Sequence, residues 1–205
     1  MSLLDRFHGG YVHPRRVRVL AEHIGDFLSP GATVLDVGCG DGLIASEVHR
    51  RRPDVNVTGI DVLVRSTARI KVTQFDGFTI PFPDDSFHSV LLVDVLHHTA
   101  DPTTLLREAR RVARSEVVLK DHTMDRRLSG PLLRFMDRVG NERHGVDIVY
   151  NYWPTQRWRA AFADLRLDVA AWIPEPALYP WPASLLFGRG LHFIAKLVRR
   201  SPAAA

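Results

Sequence analysis

Short runs of aliphatic and β-branched residues alternate along the chain with segments whose apolar residues recur every three or four positions. In 15–28, for example, Val17, Leu20 and Ile24 fall on one helical face. The pattern predicts helices over 15–28, 42–51, 62–68, 102–113 and 154–164, and strands over 33–37, 55–61, 69–75, 88–94, 115–120, 166–174 and 191–199. Because helices and strands alternate, we expect an α/β fold with a mostly parallel sheet covered on both faces.

The chain has 205 residues, a length typical of a single domain, which we expect to span 1–205. Two parts depart from the regular alternation. Residues 1–30 are interpreted as an amino-terminal segment that covers the site. Residues 121–153 are rich in histidine, aromatic and glycine residues, and we expect an irregular insertion there on the substrate side of the sheet.

Composition indicates an ordinary globular protein, with 45% hydrophobic and 24% charged residues. No run of 18 uncharged apolar residues occurs, so we expect no stable membrane insertion. Asp5 and Arg6 stand where a secretory signal would carry its apolar stretch, which favours a cytoplasmic protein. The single cysteine, Cys39, excludes an internal disulfide and is expected to fill a tight space. The sequence leaves the oligomeric state open.

The formal net charge of +4 raises the possibility of nucleic-acid binding. However, the arginines fall in short separate groups near predicted helix ends, such as 50–52, where cations favour the helix dipole. We therefore expect no nucleic-acid partner.

The segment 34–42, Val-Leu-Asp-Val-Gly-Cys-Gly-Asp-Gly, predicts a buried strand that turns sharply into a loop and a helix. Gly38, Gly40 and Gly42 let the backbone approach a ligand closely, and the amides that open the next helix point towards it. A dinucleotide fingerprint would require a further glycine where Leu43 stands. The loop therefore fits a ligand other than a pyrophosphate.

An acidic residue ends each of the first four predicted strands, namely Asp36, Asp61, Asp76 and Asp94. Asp61 follows Gly42 by 61 − 42 = 19 residues, close to the spacing at which nucleotide-binding sheets place an acid on ribose hydroxyls. Asp36 would repel a phosphate and would attract an ammonium group. The pattern predicts a ribonucleoside ligand with a cationic amine and no phosphate.

Four more motifs accompany the glycine loop: Thr-Gly-Ile-Asp at 58–61, Phe-Asp-Gly at 75–77, Ile-Pro-Phe-Pro-Asp-Asp-Ser-Phe at 80–87 and Asp-Val-Leu-His-His at 94–98. Together these motifs resemble the class I S-adenosylmethionine-dependent methyltransferases, and in particular their small-molecule branch. The resemblance covers roughly 15–120. It implies a Rossmann-like, seven-stranded sheet of order 3-2-1-4-5-7-6 with the seventh strand antiparallel. It also implies S-adenosylmethionine as the cofactor and S-adenosylhomocysteine as its product.

The resemblance also implies roles for individual residues in cofactor binding. Asp36 is expected near the methionine ammonium, and Asp61 on the ribose hydroxyls. The other expected cofactor residues are Gly38, Cys39 and Gly40 beneath the cofactor, Asp76 on the adenine amino group, Val62 and Gly77 beside the adenine ring, and Asp94 and Val95 at the methionine end. One departure is His88 after Phe87, where the family usually has an aspartate.

An oxygen or carbon nucleophile must lose a proton when it is methylated, and a histidine suits that step. His122 and Asp121 follow the fifth strand, and His144 lies in the polar segment; these are the catalytic candidates. His97 is interpreted as a residue that orders its loop. The histidines are scattered along the chain, so we expect no metal site.

The leading hypothesis is methyl transfer to a small organic acceptor through an oxygen, nitrogen or carbon nucleophile. Trp153, Trp158, Trp172, Tyr179 and Trp181 indicate either an aromatic or lipid-like acceptor or simple core packing. A nucleic-acid methyltransferase is disfavoured, because Asp94-Val95-Leu96-His97 stands where that branch has an Asn/Asp-Pro-Pro-Tyr type of motif. A non-catalytic protein that only binds S-adenosylmethionine remains the alternative.

Overall fold

The computed structural model describes residues 12–141, 149–188 and 190–200. Their helices and strands alternate as the apolar pattern predicts. In chain order the elements are α1 His13–Phe27, β1 Thr33–Val37, α2 Leu43–Arg51, β2 Asn56–Asp61, β3 Val72–Gln74, β4 Phe87–Val93, α3 Pro102–Val112, β5 Ala113–His122, α4 Ser129–Asn141, α5 Thr155–Asp164, β6 Leu167–Ile173, α6 Ala183–Phe187 and β7 His192–Arg199. None of the helices in these ranges has the length and apolar content needed to cross a bilayer.

The seven strands form one sheet of order β3-β2-β1-β4-β5-β7-β6. Strands β1 to β5 pair in parallel, whereas β7 pairs antiparallel with both β5 and β6. The predicted fold class and strand order are confirmed. Strand order reverses between β1 and β4, and ligands of such sheets bind at the carboxyl ends of the strands near that reversal.

Helices cover both faces of the sheet because each presents an apolar stripe to it. On one face, α3 and α5 pack through Leu106, Ala109, Trp158 and Phe162. On the other, α1 packs through Leu20, Ala21 and Ile24 beside Val48 of α2. The part of the amino-terminal segment that begins at His13 is therefore a core helix, while its first 11 residues lie outside the described ranges. Its role as a cover for the site stays a prediction.

The predicted helix at 62–68 is wrong: this stretch consists of bends and turns. The Asp61 carboxylate accepts a hydrogen bond from the Leu63 amide at 2.9 Å, which sets a turn directly after β2. Val62, Leu63 and Val64 are exposed, so the stretch has no buried stripe to support a helix.

The segment 121–153 is more regular than expected. Strand β5 extends to His122, so that Asp121 and His122 belong to the sheet and not to a loop. Helix α4 then fills 129–141. The Gly130-Pro131 pair resembles a helix breaker, but proline is compatible with the first turn of a helix. Leu133 is fully buried and Leu132 and Met136 pack beside it, and this contact stabilises the helix.

Candidate cofactor and acceptor site

The glycine loop follows β1 and ends at α2. Gly38, Gly40 and Gly42 all have positive φ angles, of 71°, 60° and 73°. A Cβ on Gly38 would lie 2.6 Å from a methyl carbon of Val95, so the loop and the segment after β4 are in close contact. A Cβ on Gly40 would meet no atom within 4 Å. The loop therefore presents bare backbone to an open space beside Gly40, as a bound ligand requires.

Two carboxylates lie beside this loop. Asp61 accepts a hydrogen bond from the Gly40 amide at 2.8 Å, in addition to the bond from Leu63. Asp36 is 3% exposed. Burial, and secondly the negative charge of Asp61, raises the pKa of Asp36 to about 7. A buried acid next to a second acid is a favourable partner for a ligand cation. The cation offsets both the unfavourable burial of the Asp36 charge and its repulsion by Asp61.

Cys39 lies between the two glycines and packs against the next strand. A Cβ on Gly59 of β2 would lie 2.5 Å from the Cys39 sulfur, so only glycine fits opposite this side chain. Burial, and secondly the charge of Asp36, raises the pKa of the Cys39 thiol well above its usual range. The thiol fills space between β1 and β2, as its position in the sequence suggested.

A second group of predicted residues lies beyond β2 and β3. A Cβ on Gly77, whose φ is 85°, would lie 3.1 Å from a methyl carbon of Val62, so these two residues are neighbours. Asp76 is exposed, and its Oδ1 accepts hydrogen bonds from the Phe78 and Thr79 amides at 2.7 Å each. Phe78 is itself 61% exposed. The site thus has an exposed apolar wall of Val62 and Phe78 next to a fixed carboxylate.

Asp94 follows β4 with a φ of 58°, an uncommon conformation for a residue other than glycine. Its carboxylate accepts hydrogen bonds from Arg16 of α1 and from the fully buried Lys120 of β5. Burial alone would raise the pKa of Asp94, but the charges of Arg16 and Lys120 outweigh it and hold that pKa well below the usual range. Asp94 is thus an ionised partner of two cations.

Beside Asp94, His97 of the turn Leu96–His98 contacts Asp121 of β5 and Asp137 of α4. The His97 Nδ1 lies 2.6 Å from Asp121 Oδ1, and its Nε2 lies 3.5 Å from Asp137 Oδ2. Tyr152 donates a hydrogen bond to Asp137. Burial works to lower the pKa of His97, but the carboxylates of Asp121 and Asp137 outweigh it, so the pKa is raised. His97 lies between two acids, whose negative charges favour its protonated form.

His122 is the other histidine of this cluster. Its Nδ1 lies 3.4 Å from Asp121 Oδ1 and 3.7 Å from Asp94 Oδ1. Burial, and secondly the charge of Lys120, lowers the pKa of His122 well below its usual value, so the ring is neutral. Because two carboxylates face Nδ1, the ring proton lies on that nitrogen and Nε2 carries the lone pair.

The structure brings most of the predicted site residues to one edge of the sheet. Asp36, Asp61 and the glycine loop lie at the ends of β1 and β2, while Asp94, Asp121 and His122 lie at the ends of β4 and β5. The third catalytic candidate, His144, lies outside the described residues.

Sequence reasoning missed three members of the buried cluster: Lys120, Asp137 and His192. The His192 ring lies 4.8 Å from the His122 ring. Lys120 lies on β5, Asp137 on α4 and His192 on β7, so no local spacing in the sequence could have grouped them. A lysine inside the apolar run of β5 was the one available signal, since an unpaired buried lysine is rare.

The cluster also changes the view of the histidines as scattered. Within the described residues, Asp94, His97 and His122, or His97, His98 and Asp137, have ligand atoms within 4.8 Å of one another. Asp94 already forms ion pairs with Arg16 and Lys120. These two cations take the place that a metal ion would have in the set of Asp94, His97 and His122. The absence of a metal stays a prediction.

Comparison with known proteins agrees with this geometry. The sequence profile of a methyltransferase-domain family matches residues 35–119, the part that carries the glycine loop and strands β1 to β5. The match covers less than half of the chain, and the strand order is the one expected for the class I S-adenosylmethionine-dependent methyltransferase fold.

Individual relatives are similar over parts of their length. An uncharacterized methyltransferase of Mycobacterium bovis is 41% identical over 80 residues, which cover 36% of this chain and 41% of that protein. A demethylmenaquinone methyltransferase of Tropheryma whipplei is 33% identical over 118 residues, 52% of this chain and 48% of that protein. The chain therefore matches less than half the length of either.

A solved structure of an S-adenosylmethionine-dependent methyltransferase from Aquifex aeolicus superimposes with a TM-score of 0.63. It covers 90% of this chain and 93% of that one at 17% sequence identity, which shows the shared fold.

The residues present fit S-adenosylmethionine as the cofactor. Its ribose carries two adjacent hydroxyls that suit the carboxylate of Asp61. Its ammonium group is a cation of the kind that buried Asp36 lacks. The open space beside Gly40 admits a ligand against the backbone. Nothing in the loop is arranged for a phosphate, because Asp36 would repel one.

Proposed function

We propose that the protein transfers the methyl group of S-adenosylmethionine to a small organic acceptor. The observation that carries the proposal is the buried carboxylate of Asp36, which has no ion pair with any residue that the structure describes and lies beside a glycine loop open to a ligand. The carboxylate of Asp61 binds the ribose, and Asp76, Val62 and Gly77 bind the adenine. Gly38, Cys39 and Gly40 lie under the cofactor.

Asp94 and Val95 line the methionine end of the same site. Val95 touches the glycine loop at Gly38, which orients the segment after β4 towards the cofactor. The single negative charge of Asp94 offsets one of the two positive charges of Arg16 and Lys120 at this edge.

When bound, S-adenosylmethionine supplies an electrophilic methyl group on a sulfonium. A hydroxyl acceptor that took up this methyl group would release its proton. We assign that proton to the Nε2 of His122. The imidazolium formed in this way faces the carboxylates of Asp121 and Asp94, and the attraction stabilises it. His144 stays a further candidate for this step.

The class of acceptor is proposed to be aromatic or lipid-like. Tyr152 stacks over the His97 ring with centroids 5.6 Å apart, and Tyr150 lies 6.1 Å from Tyr152. Such flat apolar surfaces favour a planar or hydrocarbon acceptor. The similarity to a demethylmenaquinone methyltransferase, a relative named for a quinone, supports the same class.

Calorimetry tests cofactor binding. The Asp61→Ala variant should bind S-adenosylmethionine at least about tenfold more weakly, because the loop loses the acceptor that fixes Gly40 and the ribose loses its partner. Asp26→Ala, which removes an exposed acid of α1, is the matched control and should bind as the wild type does. Equal affinities for all three proteins would refute the assignment of the ribose site.

Release of S-adenosylhomocysteine tests turnover with a panel of phenols, amines, quinones and fatty acids. His122→Ala should lower kcat by about 10²- to 10⁴-fold with a phenol and leave cofactor affinity unchanged. His23→Ala on α1 is the matched control. Cofactor binding without turnover on the whole panel would favour the alternative, a protein that only binds S-adenosylmethionine.

A further inference from the structure

Two helices beside the acceptor site expose an unusual amount of apolar surface. Trp181 and Leu128 are 78% and 76% exposed, and Leu186 is 66% exposed. Phe135 on α4 and Leu185 on α6 are half-exposed. We call these five residues the apolar face. A concentration of large exposed apolar side chains on two short segments, 128–135 and 181–186, marks an interaction site in a folded protein.

The packing shows that the two helices contribute to one surface. Leu128 and Leu132 at the start of α4 and Leu186 of α6 line a common cavity of about 270 Å³, together with Arg126 and Arg127. Leu128, Leu132 and Phe135 are spaced four and three residues apart, so they share one side of α4. The cavity joins this side to α6.

The charge around the apolar face has one sign. The described residues of 126–136 and 176–191 include three arginines and no aspartate or glutamate, in a chain that has 23 acidic residues. The adjacent Asp125 is engaged by Thr155, whose amide and hydroxyl both donate hydrogen bonds to its carboxylate. Arg127 and Arg134 are exposed. Within these two ranges, the described residues combine leucine, tryptophan and arginine without an acid.

We propose that the apolar face docks on the surface of an anionic phospholipid membrane. Leucine and phenylalanine side chains would enter the boundary between headgroups and acyl chains, tryptophan would lie at the headgroup level, and arginines would pair with the phosphates. A second copy of this chain is a poorer occupant. In a symmetric dimer the same patch meets itself, which would place arginines against arginines.

The position of the face suggests why docking is useful. Leu191 lines the cavity and also packs with Leu133 and Tyr152 in one small cluster. Tyr152 in turn contacts the His97 and His122 rings. One buried cluster of side chains therefore connects the apolar face to the proposed site of methyl transfer.

Vesicle sedimentation tests the docking with the full chain, in the absence of cofactor and acceptor. The protein should bind vesicles of phosphatidylcholine mixed with phosphatidylglycerol, and should bind pure phosphatidylcholine much less. High salt should weaken the binding, because it screens the arginines. On the mixed vesicles, the emission of the exposed Trp181 should shift to shorter wavelength.

Leu186→Glu and Arg127→Glu should each lower the partition onto mixed vesicles by about fivefold or more. Their matched controls are Ala170→Glu on β6 and Arg107→Glu on α3, both at exposed positions away from the face, and these should bind as the wild type does. All four sites are exposed, and circular dichroism checks that the variants fold.

Equal binding by all variants would overturn the proposal, as would equal binding to pure phosphatidylcholine. A dimer seen by light scattering that Leu186→Glu dissociates would assign the face to a second copy instead. The vesicle assay requires neither cofactor nor turnover. Failure of methyl transfer with intact docking would therefore refute the proposed function alone, and the reverse result would refute the docking alone.

Discussion

Replacing Asp36 by asparagine should make the ligand-free protein more stable and the cofactor site weaker. Asp36 is buried beside a second acid, and its pKa is raised to about 7. The protein therefore pays a cost for keeping this carboxylate ionised at neutral pH. Asparagine has nearly the same shape as the protonated acid and carries no charge.

The magnitude follows from the shift in pKa. The shift from the ordinary value of 3.8 to about 7 is about three units, which corresponds to about 4 kcal/mol at 1.36 kcal/mol for each unit. Because the carboxylate titrates near 3.8 when unfolded and near 7 when folded, the wild type loses stability as the pH rises between these values. The advantage of Asp36→Asn should thus be below about 1 kcal/mol at about pH 4 and about 2–4 kcal/mol at about pH 8.

Urea unfolding followed by circular dichroism at these two pH values measures the effect. Asp26→Asn, at an exposed position on α1, is the control and should show no such dependence on pH. A variant that is no more stable than the wild type at the higher pH would refute the reasoning. So would a gain of equal size at both pH values, since it could not come from the ionisation of Asp36.

The same carboxylate predicts how cofactor binding responds to pH. The ammonium of S-adenosylmethionine favours ionised Asp36, so affinity for the wild type should fall as the pH drops below about 7 and a proton should be released on binding. Calorimetry in buffers of different ionisation enthalpy detects that proton. Asp36→Asn should bind more weakly and without this pH dependence; a wild type with pH-independent affinity would contradict the assignment.

Two further substitutions test the packing of the site. Asp94→Ala should cost about 3–5 kcal/mol of unfolding free energy, because it leaves buried Lys120 without its carboxylate, and adding Lys120→Met should recover part of the loss; no recovery in urea unfolding would contradict the pairing. Gly38→Ala should lower the free energy of unfolding by about 1–3 kcal/mol, because the position has a positive φ and the new Cβ would contact Val95. Adding Val95→Ala should relieve the contact and leave the backbone strain. Strictly additive losses in the double variant would show that the contact carries no energy.

The sheet could be predicted because its signals are local. The buried runs of β1 and β4 and the helical stripe of α1 each reveal their period within a few residues, and the resemblance to a family supplied the strand order. The acids were located for a related reason: a residue at the carboxyl end of a parallel strand reaches the same edge as its neighbours, whatever the distance along the chain.

The missed features depend on contacts between distant segments. Helix α4 is stabilised because Leu133 packs against Tyr152 and Leu191. The sequence around Gly130-Pro131 does not predict that contact. The buried ion pairs of Asp94 join α1, β4 and β5. Residues 62–68 show the opposite error, a helix predicted where none forms. Their aliphatic residues favour a helix, but Asp61 sets a turn there instead.

The tight fit of Cys39 against Gly59 has a consequence for the chemistry of the binding loop. A thiol whose pKa lies well above the usual range is almost wholly protonated at neutral pH, and thiolate is the form that reacts with peroxide, disulfides and alkylating agents. The Cys39 thiol is therefore unreactive. The glycine loop keeps its shape under oxidising conditions that would modify an exposed cysteine.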